Sequence, residues 1–199
     1  MSPAEIRGGE QPLHLEQFAA RLLHVAVTPR RLADLVADIL GEEIRFGPVD
    51  VGPGGIASAA GRARCGLVTA DRVGDEPGRL SVRIPLAVRV TVRLPMRLIR
   101  FRAQAVVQLN LRVIPCEPLA VKIEITDPCA ADILLTLSMS PFTRVLLGAA
   151  GDVEALLVRY ICEYVRDTVN SPQTRRYTHI DLADLIDRAW ENDMIGQAS

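Results

Sequence analysis

The sequence predicts an α+β protein: a long, curved antiparallel β-meander wrapped around a long C-terminal helix, with two helices ahead of the sheet. Three observations predict it. Aliphatic and polar residues alternate over 80–113 with a single change of parity, as a hairpin with one apolar face requires. Residues 153–169 instead repeat aliphatic side chains every three or four positions, the period of a helix face. And 199 residues, 49% hydrophobic but 4% aromatic, suffice for a sizeable core built from Val, Leu, Ile and Ala.

The elements follow in order. Residues 13–27 form an amphipathic helix with Leu15, Phe18, Leu22 and Val25 on one face. Thr28 caps a second helix with Pro29 at its first position; Gly41 ends it, and Leu32, Leu35, Val36 and Ile39 are its stripe. EIRFGPVDV is a short strand broken by Pro48, and GPGG at 52–55 is a turn. In the next segment Ala57, Ala59, Gly61, Ala63, Cys65 and Leu67 fall on one strand face, although the alanines leave a helix open as the alternative.

The alternating region is the clearest signal. Even positions from Leu80 to Leu94 are aliphatic, and after Met96 the odd positions Ile99 to Val113 take over. A turn near Met96 that pairs Leu94 with Ile99 and Leu80 with Val113 keeps all of them on one face, and Arg93 then faces Arg100. Each arm spans roughly 50 Å at ~3.3 Å per residue, so the sheet is expected to curl. PCEP at 115–118 turns the chain into LAVKIEITD, with Leu119, Val121, Ile123 and Ile125 inward, and ADILLTLSM is a further strand. Asp152 caps the long helix, whose stripe is Val153, Leu156, Leu157, Tyr160, Ile161, Tyr164, Val165 and Val169; NSP at 170–172 stops it. A last helix capped by Asp181 is expected to bury Leu182, Leu185, Ile186 and Trp190. With no internal repeat or linker, 12–190 read as one domain, and 1–11 and 191–199 as flexible tails.

Composition excludes several function classes. Net charge is −1, which argues against nucleic acid as a partner. The first residues contain no apolar leader core and the longest uncharged apolar run is broken by Pro141, so the expected location is the cytoplasm, with Cys65, Cys116, Cys129 and Cys162 as reduced thiols. GPGGIA at 52–57 lacks the strand–turn–helix context of a dinucleotide fingerprint, and no cofactor is expected. There is no GxSxG elbow, HExxH or EF-hand loop. His14, His24 and His179 are scattered, and Asp181, Asp184 and Asp187 read as a cap and a solvated face, so no metal is expected and catalytic residues stay unassigned.

From Arg79 to Cys116 there are eight Arg and no Asp or Glu. Beyond a solvated face, that stretch suits an anionic membrane surface or an acidic carrier protein; a homodimer is the oligomer considered.

The helix-to-strand passage LADLVADILGEEIRFGPVDVGPGG, the paired strands 80–113 and the helix 152–169 together resemble the tubular lipid-binding (TULIP-like) superfamily, especially its small bacterial one-domain members. The resemblance covers roughly 30–170 and implies a lengthwise apolar cavity between sheet and helix that holds an acyl or polyketide-like chain. Bacterial relatives tend to be exported, which this chain does not match. Lining residues expected for such a cavity are Ala57, Ala59, Ala63, Leu86, Val88, Phe101, Ala103, Ala105, Leu157, Tyr160 and Tyr164. The function expected is a carrier or binder of a lipid or other long apolar molecule. The alternative is a cofactor-independent cyclase of a polyketide-type substrate in natural-product biosynthesis, working by proximity and orientation, with Tyr160 and Tyr164 as polar handles.

Overall fold

The computed structural model describes residues 14–51, 57–74, 78–141 and 153–191. It is an α+β structure built on one curled antiparallel sheet. Helices α1 (Leu15–Ala26) and α2 (Pro29–Leu40) come first. Thr28 accepts the Arg31 N–H at the start of α2, Pro29 fits the first turn, and Gly41 ends the helix at φ +71°, a region glycine enters without penalty. The strands are β1 (Glu43–Val51), β2 (Ala57–Cys65), β3 (Thr69–Arg72), β4 (Arg79–Leu94), β5 (Arg97–Cys116), β6 (Ala120–Ile125), β7 (Ile133–Ser138) and β8 (His179–Asp181). Helices α3 (Val153–Val169), α4 (Pro172–Thr178) and α5 (Leu182–Glu191) complete the described chain.

The sheet order is β1-β2-β4-β5-β6-β8, with β3 also on β4 and β7 also on β5. The two long strands are therefore flanked end to end by pairs of short ones. On β4, β2 covers 86–93 and β3 covers 80–83; on β5, β7 covers 102–107 and β6 covers 111–116. The strand at 57–65 is settled by burial: Ala57, Ala59 and Ala63 pack inward with neighbours on two strands.

The hairpin faces are as the alternation predicts, since every even aliphatic from Leu80 to Val92 and every odd apolar from Ile99 to Val113 is buried. The register differs by two residues. A two-residue turn, Pro95–Met96, pairs Leu94 with Arg97, Val92 with Ile99 and Leu80 with Leu111. Short hairpin loops are favoured, and a shift of two leaves each side chain on its face. Arg93 consequently faces Leu98, and the like-charged pairs are Arg89 with Arg102 and Arg79 with Arg112.

Buried residues of the sheet, α2 and α3 form one contiguous apolar cluster. On α2, Leu32, Ala33, Val36 and Leu40 are buried, while Leu35 is only packed against the cluster's edge. On α3, Val153, Leu157, Ile161, Cys162 and Val165 are buried.

Several expectations need correcting. The predicted α1 face is turned outward: Phe18 is 53% and Val25 65% exposed, while Leu23, Ala26 and Val27 meet the core. No residue of α5 is buried, and Trp190 is 62% exposed, because that helix packs near the edge of the sheet, on β6 beside the outermost strand β8. Leu119 is exposed and Ala120 takes the inward place. Strand β7 does not extend the meander beyond β6; it folds back onto β5, and β8 takes the place next to β6. Asp181 does cap α5, accepting the Asp184 N–H at 3.1 Å. The GPGG turn, the Asp152 cap and both predicted tails lie outside the described residues, apart from Glu191.

Candidate functional site

The sheet's inner face begins as alternation. Small residues of β2 and β5 stand beside larger ones of β4: Ala63 faces Val88, Ala103 faces Val88 from the other side, and Ala105 faces Leu86. Such a row of small side chains either admits a helix or leaves a hollow. Here two neighbours fill it. Gly61 leaves a space into which the Phe46 ring of β1 reaches, and a Cβ at 61 would also lie 2.6 Å from the Arg89 carbonyl. Tyr160 of α3 then packs on Phe46, ring centroids 5.0 Å apart and tilted by 44°.

Beneath α3 a cavity of about 20 Å³ remains, bordered by Ala63, Leu86, Val88, Leu157, Tyr160 and Tyr164 among others. That is room for about one water molecule. These six were expected to line a site, and the structure brings them together. Ala57, Ala59, Phe101, Ala103 and Ala105 are buried on the same face but do not border this space. Ile44 and Phe46 do border it, and the sequence reading missed them. Their signal was present in the alternation of EIRF, whose apolar members share a face.

The Tyr160 hydroxyl donates to the Arg45 carbonyl at 3.4 Å, and burial first, then Tyr164 and Glu163, push its ionisation upward. It remains a neutral donor held by backbone.

A second apolar space lies at the far end of the same face. A groove of about 290 Å³ runs between α1 and the sheet, walled by Ala20, Leu23 and Val27 on one side and by Leu80, Val113 and Pro115 on the other. Its size approaches the ~300 Å³ at which ligand pockets begin. Gly78 also borders the groove: it sits at φ +92°, and a Cβ there would lie 2.9 Å from the Val113 carbonyl. Arg72 and His24 stand at the groove, and the Arg72 guanidinium donates to the His24 carbonyl at 3.3 Å. Arg31 fixes the end of α1 by donating to the Val25 and Ala26 carbonyls at 3.2 and 3.3 Å. The groove was not anticipated because the stripe chosen for α1 was the exposed one. Leu23 and Val27, four residues apart, were the signal.

Among the described residues no group of three or more His, Cys, Asp or Glu side chains could hold a metal ion. No described helix is long and apolar enough to cross a membrane. What this arrangement offers is apolar surface with the Arg72 guanidinium at its edge.

No family model and no curated protein matches the sequence. Among solved structures the chain is similar to a lipopolysaccharide binding protein at 12% identity and a TM-score of 0.32. The match covers 79% of this chain and 38% of that one, so the chain spans well under half of that protein. A superposition this loose says nothing of function, which has to be argued from the site.

Proposed function

We propose that the protein binds a lipid-like molecule, its tail in the groove under α1 and its anionic head at Arg72. The observation that carries this is the combination of apolar walls with the Arg72 guanidinium held at the rim by the His24 carbonyl. An acyl chain gains from leaving water at about 25 cal/mol per Å² of apolar surface. A carboxylate or phosphate head gains a charge-assisted hydrogen bond from Arg72. A longer chain would continue along the inner face beneath α3, past Leu86, Val88 and Leu157, where Ala57, Ala59, Phe101, Ala103 and Ala105 complete the apolar surface. With about 20 Å³ free there, that extension requires α3 to lift from the sheet.

The test is titration with a fluorescent fatty acid and with its methyl ester. Ala20→Trp, on the groove wall of an exposed helix, should abolish binding of both. Arg72→Gln should weaken the acid and leave the ester unchanged. No binding to the parent protein, or binding that survives Ala20→Trp, overturns the assignment.

A further inference from the structure

The outer face of the sheet carries a feature the groove does not use. Arg45 on β1 faces Arg62 on β2, Arg62 faces Arg89 on β4, and Arg89 faces Arg102 on β5. Four arginines thus cross four strands in one row, at about 4.8 Å per strand. Arg45 is bonded to Glu43 at 2.8 Å. No described residue forms an ion pair with Arg62, Arg89 or Arg102, nor with Arg64 and Arg100 beside them. Arg45, by its hydrogen bond, and then Arg62 and Arg64, by their charge, hold the Glu43 carboxyl below its ordinary range, so this one acid stays ionised without neutralising the row.

Like charges directly opposite in a sheet are destabilising. The row therefore costs folding free energy and concentrates positive charge on this part of the face. On either side the floor is small, Ala60 and Thr91 in one direction and Ala87 in the other. Grooves of about 730 and 430 Å³ result, and Arg62, Arg89 and Arg102 line both. Toward the hairpin turn the charge on this face continues through Arg93, opposite Leu98, and Met96 in the turn is 94% exposed.

The chemistry of this surface selects a partner. The row offers neither the apolar, charge-depleted core around which a protein interface is built nor the stacking platform that single-stranded nucleic acid uses. Arrayed phosphates require neither. An exposed apolar tip at the end of the arginine row further matches an interface where phosphates overlie hydrocarbon.

We propose that this face docks the protein on an anionic phospholipid bilayer, with Arg62, Arg89, Arg100 and Arg102 taking headgroup phosphates and Met96 entering the acyl boundary. The proposal does not rest on the groove under α1 holding a ligand.

The experiment is co-sedimentation with phosphatidylcholine vesicles, with and without phosphatidylglycerol, at low and high NaCl. Binding should require phosphatidylglycerol and be lost at high salt. The triple variant Arg62→Gln/Arg89→Gln/Arg102→Gln should bind about 100-fold more weakly, since each arginine near such a surface contributes roughly a fivefold factor. It relieves repulsion, so its melting temperature should not fall below the parent's, which separates lost docking from lost folding. Met96→Ser should weaken vesicle binding several-fold, and Arg188→Gln, on α5, should leave it unchanged. Equal binding to neutral vesicles, or equal binding by the triple variant, overturns the proposal. So does a site that takes inorganic pyrophosphate through the same arginines while vesicles do not bind, since that face would then serve a soluble phosphate compound.

Discussion

The ring of Phe46 occupies the space that a side chain at position 61 would need, so Gly61 and Phe46 form one packing unit across the β1–β2 pair. Gly61→Ala must displace either the ring or the Arg89 carbonyl, and overpacking of this kind costs about 1–3 kcal/mol. In a Phe46→Leu background the same substitution should cost markedly less. Urea unfolding of the four proteins measures the coupling, and additive effects would show that the two residues do not share that space.

Two buried hydroxyls should respond in opposite ways. Thr174, 2% exposed, donates to the Thr168 carbonyl at 2.6 Å and joins the start of α4 to the end of α3. Thr174→Val leaves that carbonyl only the Ser171 N–H at 3.2 Å and should destabilise by about 0.5–1.5 kcal/mol. The buried Ser81 hydroxyl has no hydrogen-bond partner among the described residues. Ser81→Ala should therefore be neutral or stabilising in the same denaturation assay.

The arginine row makes stability depend on salt in a defined direction. Raising NaCl from about 20 to about 200 mM shortens the Debye length from roughly 20 to below 10 Å and screens the repulsion. The melting temperature of the parent should rise, and that of Arg62→Gln/Arg89→Gln/Arg102→Gln should rise less. A parent whose melting temperature falls with salt would show that attractive pairs dominate this face.

Thiol chemistry should be ordered by burial. Cys129 is exposed and should alkylate first. Burial pushes the Cys162 thiol upward, an effect that Arg166 opposes and Cys129, Asp132 and Glu163 reinforce. Because the folded-state value is raised, the neutral thiol's contribution is intact below the unfolded value and is lost as pH rises through the folded one. Iodoacetamide labelling followed by peptide mass spectrometry should find Cys162 unmodified near pH 8 and reactive only at clearly alkaline pH or on unfolding. Labelling of Cys162 at the rate of Cys129 would contradict its placement against the core.

Faces were legible in the sequence and partners were not. Parity alone assigned every inward side chain of β4 and β5, because a strand's two faces differ in contact with water. It could not fix the register, since a shift of two residues preserves each face. The helix period located α1 and α5 but chose the wrong contact for both: an apolar stripe reports a preference for burial, and the sheet rim near α5 offers too little surface to satisfy it. The small residues of β2 were expected to line a cavity for a ligand. What entered was Phe46 from the neighbouring strand, a long-range fit that a pattern along one strand does not encode. Strand β8, three residues long, has no period to detect.

The β4–β5 pair has a kinetic consequence. Its sixteen cross-strand partners are all joined through a two-residue turn, so each successive pair closes almost no additional loop once the one before it has formed. The central ribbon can zip from Met96 outward on the microsecond scale of hairpins. Strand β8 and the helix α3, whose contacts join residues far apart in the chain, must wait for it. The folding nucleus is therefore expected at the hairpin, and substitutions such as Val90→Ala should slow folding, whereas Leu157→Ala should chiefly speed unfolding.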